Sequence, residues 1–197
     1  MISSFHLSVF LENDKIKVVA TIEIFASIAK EIGGSLIETD YILPSGVDPH
    51  SYSLTTDDIL KAQNADLVIL ANSSFFSLES KLLENLKGKP YLDYTDYVNY
   101  NLTILSLPDI GRNYHGYWIY PDNALAIATA IKDELKAIDP IHESYYEDNY
   151  KFFAEKVINL KSLIVRTSID TNLYDSGVVI AVPGTAYIAL AFHMNIK

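Results

Sequence analysis

The 197-residue chain carries 25 acidic against 15 basic residues, a net charge of −10, and contains no cysteine. An acidic chain without basic clusters is repelled by phosphate backbones, which sets nucleic acid aside as a partner. The missing cysteines exclude disulfides, thiolate metal sites and cysteine nucleophiles, so any metal site must use histidine and carboxylate. No apolar run approaches the ~18 residues that a membrane-spanning helix needs.

Residues 1–14 (MISSFHLSVFLEND) form an uncertain start, either the tail of a signal peptide or an edge strand. From Ile16 the chain alternates. Ile16–Ala20 (IKVVA) is a short β-branched run that predicts a buried strand. Apolar residues at 22, 25, 28, 29 and 32 have helical spacing, and Gly33 and Gly34 end that helix. Leu36–Leu43 predicts a second strand. Thr55, with Asp58 three positions on, predicts a capped helix running to about Ala65. Asp66–Ala71 is a third strand and Ser77–Lys87 a helix closed by Gly88. Tyr91–Leu92 and Leu102–Leu107 together make a fourth strand region. Strands alternating with helices of about 10 residues predict βαβ units and a mostly parallel sheet.

The second half differs. Pro121–Ile138 is helical, and Pro140 restarts a helical pattern that lasts to about Thr167, a rod of roughly 40 Å. Such a rod is either a connector between lobes or half of a coiled pair. Gly177–Val182 (GVVIAV) predicts a further buried strand, and a turn and a last helix follow. The expected organisation is α/β: an N-terminal lobe over 15–120, a helical segment over 121–176 with a long backbone helix, and the beginning of a second α/β lobe over 177–197. A strand and one helix cannot form a core alone, so that second lobe is expected to be incomplete.

Ligands of parallel α/β sheets gather at the carboxyl ends of the strands. The stretch PSGVDPHSYSLTTDD leaves the carboxyl end of the second strand and carries His50. Gly46 permits a positive φ there, and Pro49 stiffens the turn. A second histidine, His115, lies in the loop after the fourth strand region, in RNYHGYWIYPDN. Trp118 and nearby tyrosines are expected to wall off water, and Gly116 to let the backbone pass close to a bound group. Either histidine alone reads first as an ordinary loop residue. Two on one sheet edge favour a metal site, since imidazole suits zinc and its neighbours. His142 is expected in a solvated first turn of the long helix, and His193 late in the last helix, about 16 Å from the strand edge.

Catalytic patterns are poor. No Gly-x-Ser-x-Gly elbow occurs, the segment VATIEIFAS after the first strand has no glycine, and there is no phosphate loop. An enzyme of flavodoxin-like class would need such a cradle. The chain is expected not to be an enzyme.

The segments VVATIEIFASIAKEIGG, ILPSGVDPHSYSLTTDDILKAQNADLVILAN, HGYWIYPDNALAIATAIKDELKAIDP and YYEDNYKFFAEKV resemble the solute-binding proteins of ABC transporters for zinc and manganese. The resemblance runs from about residue 17 to the end, and VDPH-x-Y is its most specific part. It implies two α/β lobes joined by one long helix, with a divalent metal ion, zinc or manganese, held between them. It implies an extracytoplasmic receptor in the periplasm or at the cell surface. That receptor is tethered to the membrane by an anchor not present in this chain and hands its metal to an ABC transporter permease. His50 matches the family's first ligand. The second falls in Pro-His-x-Trp-(apolar)-x-Pro. Here Trp118, Ile119 and Pro121 match, Gly116 occupies the strict ligand position, and His115 stands one residue further from the tryptophan. Tyr187 matches a family tyrosine, which puts Val182 or Pro183 where a third ligand belongs, and neither binds metal. The fourth, acidic ligand lies later in the second lobe, beyond residue 197. The resemblance therefore implies a receptor truncated in its second lobe, with weakened metal binding. The rival expectations are an adhesion or interaction protein, or a receptor for a non-metal ligand, on the same scaffold.

Overall fold

The computed structural model describes residues 15–197. The expected alternation is present: β1 (Ile16–Ala20), α1 (Glu23–Gly33), β2 (Ile37–Tyr41), α2 (Thr56–Gln63), β3 (Leu67–Ile69), α3 (Ser77–Asn85), β4 (Tyr91–Leu92) and α4 (Tyr94–Tyr97). The four strands pair in parallel in the order β2-β1-β3-β4. Side-chain alternation along the two central strands sorts the core. Val18, Ala20, Leu67 and Ile69 face one layer, which includes Phe25 and Ile32 of α1. Val19, Val68 and Leu70 face the other, against Ala62 of α2 and Leu82 of α3. The central strands are apolar on both faces because helices cover both.

The helix after the His50 loop starts as its sequence demands. Thr55 Oγ1 accepts from the Asp58 backbone N–H, and the Asp58 carboxylate accepts from the Thr55 N–H. Tyr52 adds a hydroxyl bond of 2.9 Å to the same carboxylate, tying the loop to the helix. Thr55→Ala should lower the stability of the chain by about 1 kcal/mol, read as a drop in the urea midpoint. An unchanged midpoint would mean that the cap is replaced by water.

Beyond α4 come the short antiparallel pair β5 (Ser106–Leu107) and β6 (Gly111–Arg112), then α5 (Pro121–Ile138) and α6 (Glu143–Asp170). Residues 102–105 are not the strand that their apolar run predicts. Their backbone finds side-chain partners instead: Thr103 N–H and C=O both bond the Asn123 amide at 2.7 Å, and Leu105 N–H donates to the Tyr187 hydroxyl. An asparagine here does the work of a neighbouring strand.

The predicted rod is present. The 28 residues of α6 extend for roughly 42 Å. Its first half is fastened to the end of α1 through Asn149, whose amide donates to Ile32 C=O at 2.9 Å, and through the Lys156–Glu31 ion pair at 2.6 Å. The end of the chain folds as β7 (Gly177–Val178), α7 (Ala186–Ala191) and β8 (Asn195–Ile196), with β7 and β8 parallel. Two expectations fail in this part. The six-residue strand GVVIAV shrinks to two residues, because β8 offers a partner only to Gly177 and Val178, and Val179 and Val182 are exposed. His193 is not in the last helix. It sits in the left-handed region (φ 54°) between α7 and β8, stacked on Tyr174 with ring centres 5.1 Å apart.

Candidate metal centre

The sheet order reverses direction at β1, so the carboxyl ends of β1 and β3 bound the crevice where parallel sheets bind ligands. Three connections meet there. The β2–α2 loop carries His50, the β3–α3 loop carries Phe75 and Phe76, and the chain after α4 carries His115.

Local chemistry holds each imidazole. Gly46 takes φ 80°, as the turn requires. The His50 backbone N–H donates to Asp48 Oδ1 at 2.9 Å, and Ser51 and Tyr52 N–H donate to Asp48 C=O. This closes the loop on itself and presents His50 outward. His115 is held by Asn113, which is fully buried: its Oδ1 accepts the His115 N–H at 3.1 Å, and its Nδ2 donates to Pro183 C=O at 2.8 Å. The Tyr187 hydroxyl donates to the Asn113 C=O at 2.5 Å. Thus α7 and the turn before it brace the His115 loop. Asn113 was not singled out by sequence reasoning. Its only signal is an Asx-type residue two positions before a loop histidine.

The two rings converge. His50 Nε2 and His115 Nε2 are 3.2 Å apart. Phe75 stands edge-to-face against both, with centroids 5.6 Å from His50 and 4.8 Å from His115, and Phe76 lies 5.4 Å from His50. These phenylalanines form the apolar wall expected of Trp118. Trp118 packs instead on Phe25, Phe76 and Tyr117. Gly116 (φ 68°) does have a close neighbour, but it is the Gly184 backbone: a Cβ on Gly116 would lie 3.1 Å from Gly184 Cα. His142 is not a solvated helix residue either. It precedes α6, with Nδ1 2.7 Å from Asp139 Oδ2.

Burial holds the His115 imidazole below its ordinary range, and neighbouring His50 adds to this, while Asp48 opposes it. The ring is therefore neutral at neutral pH, which is the protonation state a metal ligand needs. Its Nδ1 is buried without a partner. A ring that binds through Nε2 carries its proton on Nδ1, and a proton facing no acceptor weakens the grip. No group of three or more histidine, aspartate or glutamate side chains among the described residues is placed to hold a metal ion. The two imidazoles are the donor pair that the described residues bring together at this edge.

The family model described as zinc-uptake complex component A, periplasmic, matches residues 18–197. A manganese ABC transporter substrate-binding lipoprotein, PsaA of Streptococcus mitis, is 34% identical over 158 residues, which cover 74% of this chain and 49% of that protein. An iron ABC transporter substrate-binding lipoprotein, MtsA of Streptococcus pyogenes serotype M1, is 29% identical over 76% of this chain and 50% of its own length. The chain spans about half the length of these relatives. Among solved structures, Zn(II)-bound AdcA of Streptococcus pneumoniae superposes with TM-score 0.76 at 21% identity, covering 93% of this chain and 39% of that one. The periplasmic zinc-binding protein TroA of Treponema pallidum gives 0.76 at 20% identity, covering 93% and 66%. At these identities the superpositions establish a shared fold.

Proposed function

We propose, from the premise that this chain belongs to the zinc-uptake complex component A family, that it is the solute-binding part of an ABC transporter for divalent metal ions of zinc or manganese type. Its cargo is the metal, its partner the permease, and its place outside the cytoplasmic membrane at an anchored surface. It does no covalent chemistry. His50 and His115 are the ligands of the N-terminal lobe (15–120), α6 is the backbone helix of the connecting segment (121–176), and residues 177–197 begin the second lobe.

The observation that carries this reading is the 3.2 Å between the two Nε2 atoms. Two nitrogens bound to one tetrahedral zinc at about 2.0–2.1 Å lie about 3.3 Å apart. The separation, that of a hydrogen bond between two imidazoles when no ion is present, is also close to one edge of a zinc tetrahedron, and it is built by two loops 65 residues apart in sequence. Imidazole favours zinc over manganese, which prefers oxygen donors. Calorimetric titration at pH 7.5 should give heat with zinc and less with manganese. A metal-independent interaction scaffold is the second reading, favoured by the absence of a third donor among the described residues. Absence of heat with both ions would leave that second reading standing and remove the first.

A further inference from the structure

We infer that Phe75 is a specificity-determining residue of this site: its phenyl ring holds the two imidazoles together and bars from their flank the extra oxygen ligands that manganese requires and zinc does not. The inference rests on the receptor reading of His50 and His115 and adds to it what chooses the ion.

Three rings stand at the corners of a nearly equilateral triangle. The centroids of His50 and His115 are 5.3 Å apart, and that of Phe75 lies 5.6 Å from the first and 4.8 Å from the second. The phenyl is close to perpendicular to both imidazoles, at 86° and 89°. This is the edge-to-face arrangement that aromatic pairs prefer. One side chain thus limits the rotation of both imidazoles. Its own freedom is small. Phe76 and Tyr114 pack on it at 4.9 and 5.3 Å. The loop that carries it is tied at each step. Asn72 N–H donates to Glu79, Ser73 N–H to Asp93, Ser74 N–H to Asn72 Oδ1, and the N–H groups of Phe75 and Phe76 both donate to Asn72 C=O.

Charge does not make the choice. Asp48 acts on His115 from the His50 loop, and a carboxylate attracts two doubly charged ions alike. Coordination number does. Zinc takes about four ligands in a tetrahedron, and manganese about six, mostly oxygen. A phenyl ring neither ligates such an ion nor holds a water, so the flank it fills is closed to further ligands. The hydrophobic shell of a metal site controls solvent access in this way. Cutting the ring back would leave a space beside polar nitrogens, and water enters a space of that kind.

Zinc affinity of the whole chain should be measured by competition with a chelating dye, and manganese affinity by the free-ion signal in electron paramagnetic resonance. The variants are Phe75→Ala, Phe75→Gln and Phe75→Leu, each checked for folding by circular dichroism. Phe75→Ala is expected to lose about tenfold in zinc affinity and to hold manganese at least as tightly as the parent. Its bound zinc should gain oxygen neighbours in X-ray absorption. Phe75→Gln fills the space with a polar group, should behave like Phe75→Ala, and takes its place if the alanine chain does not fold. Phe75→Leu keeps apolar bulk and should keep the parent's zinc-to-manganese ratio. Without metal, loss of the ring current in Phe75→Ala should move the imidazole proton signals of His50 and His115, and leave those of His142 and His193 in place. An unchanged ratio and oxygen count in Phe75→Ala and Phe75→Gln would overturn the inference, and zinc binding that is still lost in His50→Ala would leave the receptor reading intact. A leucine variant as unselective as the alanine one would also overturn it, since apolar bulk would then not be what excludes ligands. Absence of zinc binding by the parent would remove both the inference and the receptor reading.

Discussion

Replacing either His50 or His115 by alanine is expected to lower zinc affinity by roughly a hundredfold, about 2.7 kcal/mol, and the double replacement to cost little more than either one. The reason is geometric. Two Nε2 atoms 3.2 Å apart are placed to grip one ion together, and a lone imidazole on a loop has only the affinity of free imidazole. Residues that act as one unit give strongly non-additive losses, and the double-mutant cycle measures this directly. Two independent sites would instead give losses that add. The same pair sets the pH response. Protons compete with the metal for both imidazoles, so affinity falls as pH falls. Because His115 is held below the ordinary imidazole range, its share of the loss begins at a lower pH than for a free imidazole. Competition against a chelating dye at pH 7.5, 6.5 and 5.5 should show affinity dropping at each step. A flat profile would assign the metal to carboxylates and reject the pair.

The parts of this fold that were legible in the sequence are those set by local chemistry. The apolar runs IKVVA and DLVILA can be buried only between two helical layers, and they are the central strands. Thr55 and Asp58 write a capping box that the structure repeats atom for atom. Gly46 has the positive φ expected of it. What was not legible depends on distant partners. Leu102–Leu107 looks like a strand, yet Asn123 and Tyr187 take the backbone bonds that a neighbouring strand would have taken. GVVIAV is as β-branched as the central strands, but its pairing stops after Val178 because β8 is two residues long. The candidate centre shows the same division. That both histidines stand at the carboxyl edge followed from the βαβ order. That Phe75 and Phe76 wall them, and that Asn113 ties His115 to Pro183, follows from loop paths that no spacing rule encodes.

The largest single effect on stability is expected at Glu79, in the first turn of α3. Its side chain is 1% exposed, and each carboxylate oxygen has a fixed duty. Oε1 accepts the Ala71 N–H at 2.8 Å and meets the Thr21 hydroxyl, while Oε2 accepts the Asn72 N–H at 2.6 Å. It thereby clamps the carboxyl end of β3, from which the Phe75–Phe76 wall departs. Glu79→Ala would orphan two buried N–H groups at ~1–3 kcal/mol each and open a cavity. A loss of about 4 kcal/mol is a large part of a domain's ~5–15 kcal/mol. Glu79→Gln keeps the volume but turns an amide N–H₂ toward one of those N–H groups, for about 2 kcal/mol. Burial pushes the Glu79 carboxyl up to about 7, against the pull of its three donors. The folded chain therefore holds a proton there between about pH 4.5 and 7, where the unfolded chain has released it. Stability from this group is present below pH 4.5 and is lost as pH rises through 7, by about 3 kcal/mol at most. The glutamine variant has no such proton. Urea midpoints of the parent and of Glu79→Gln, compared from pH 4.5 to 8, should draw together as pH rises, with the parent's advantage confined to the acid side. Parallel profiles would show that Glu79 is ionised throughout and that its three donors outweigh its burial.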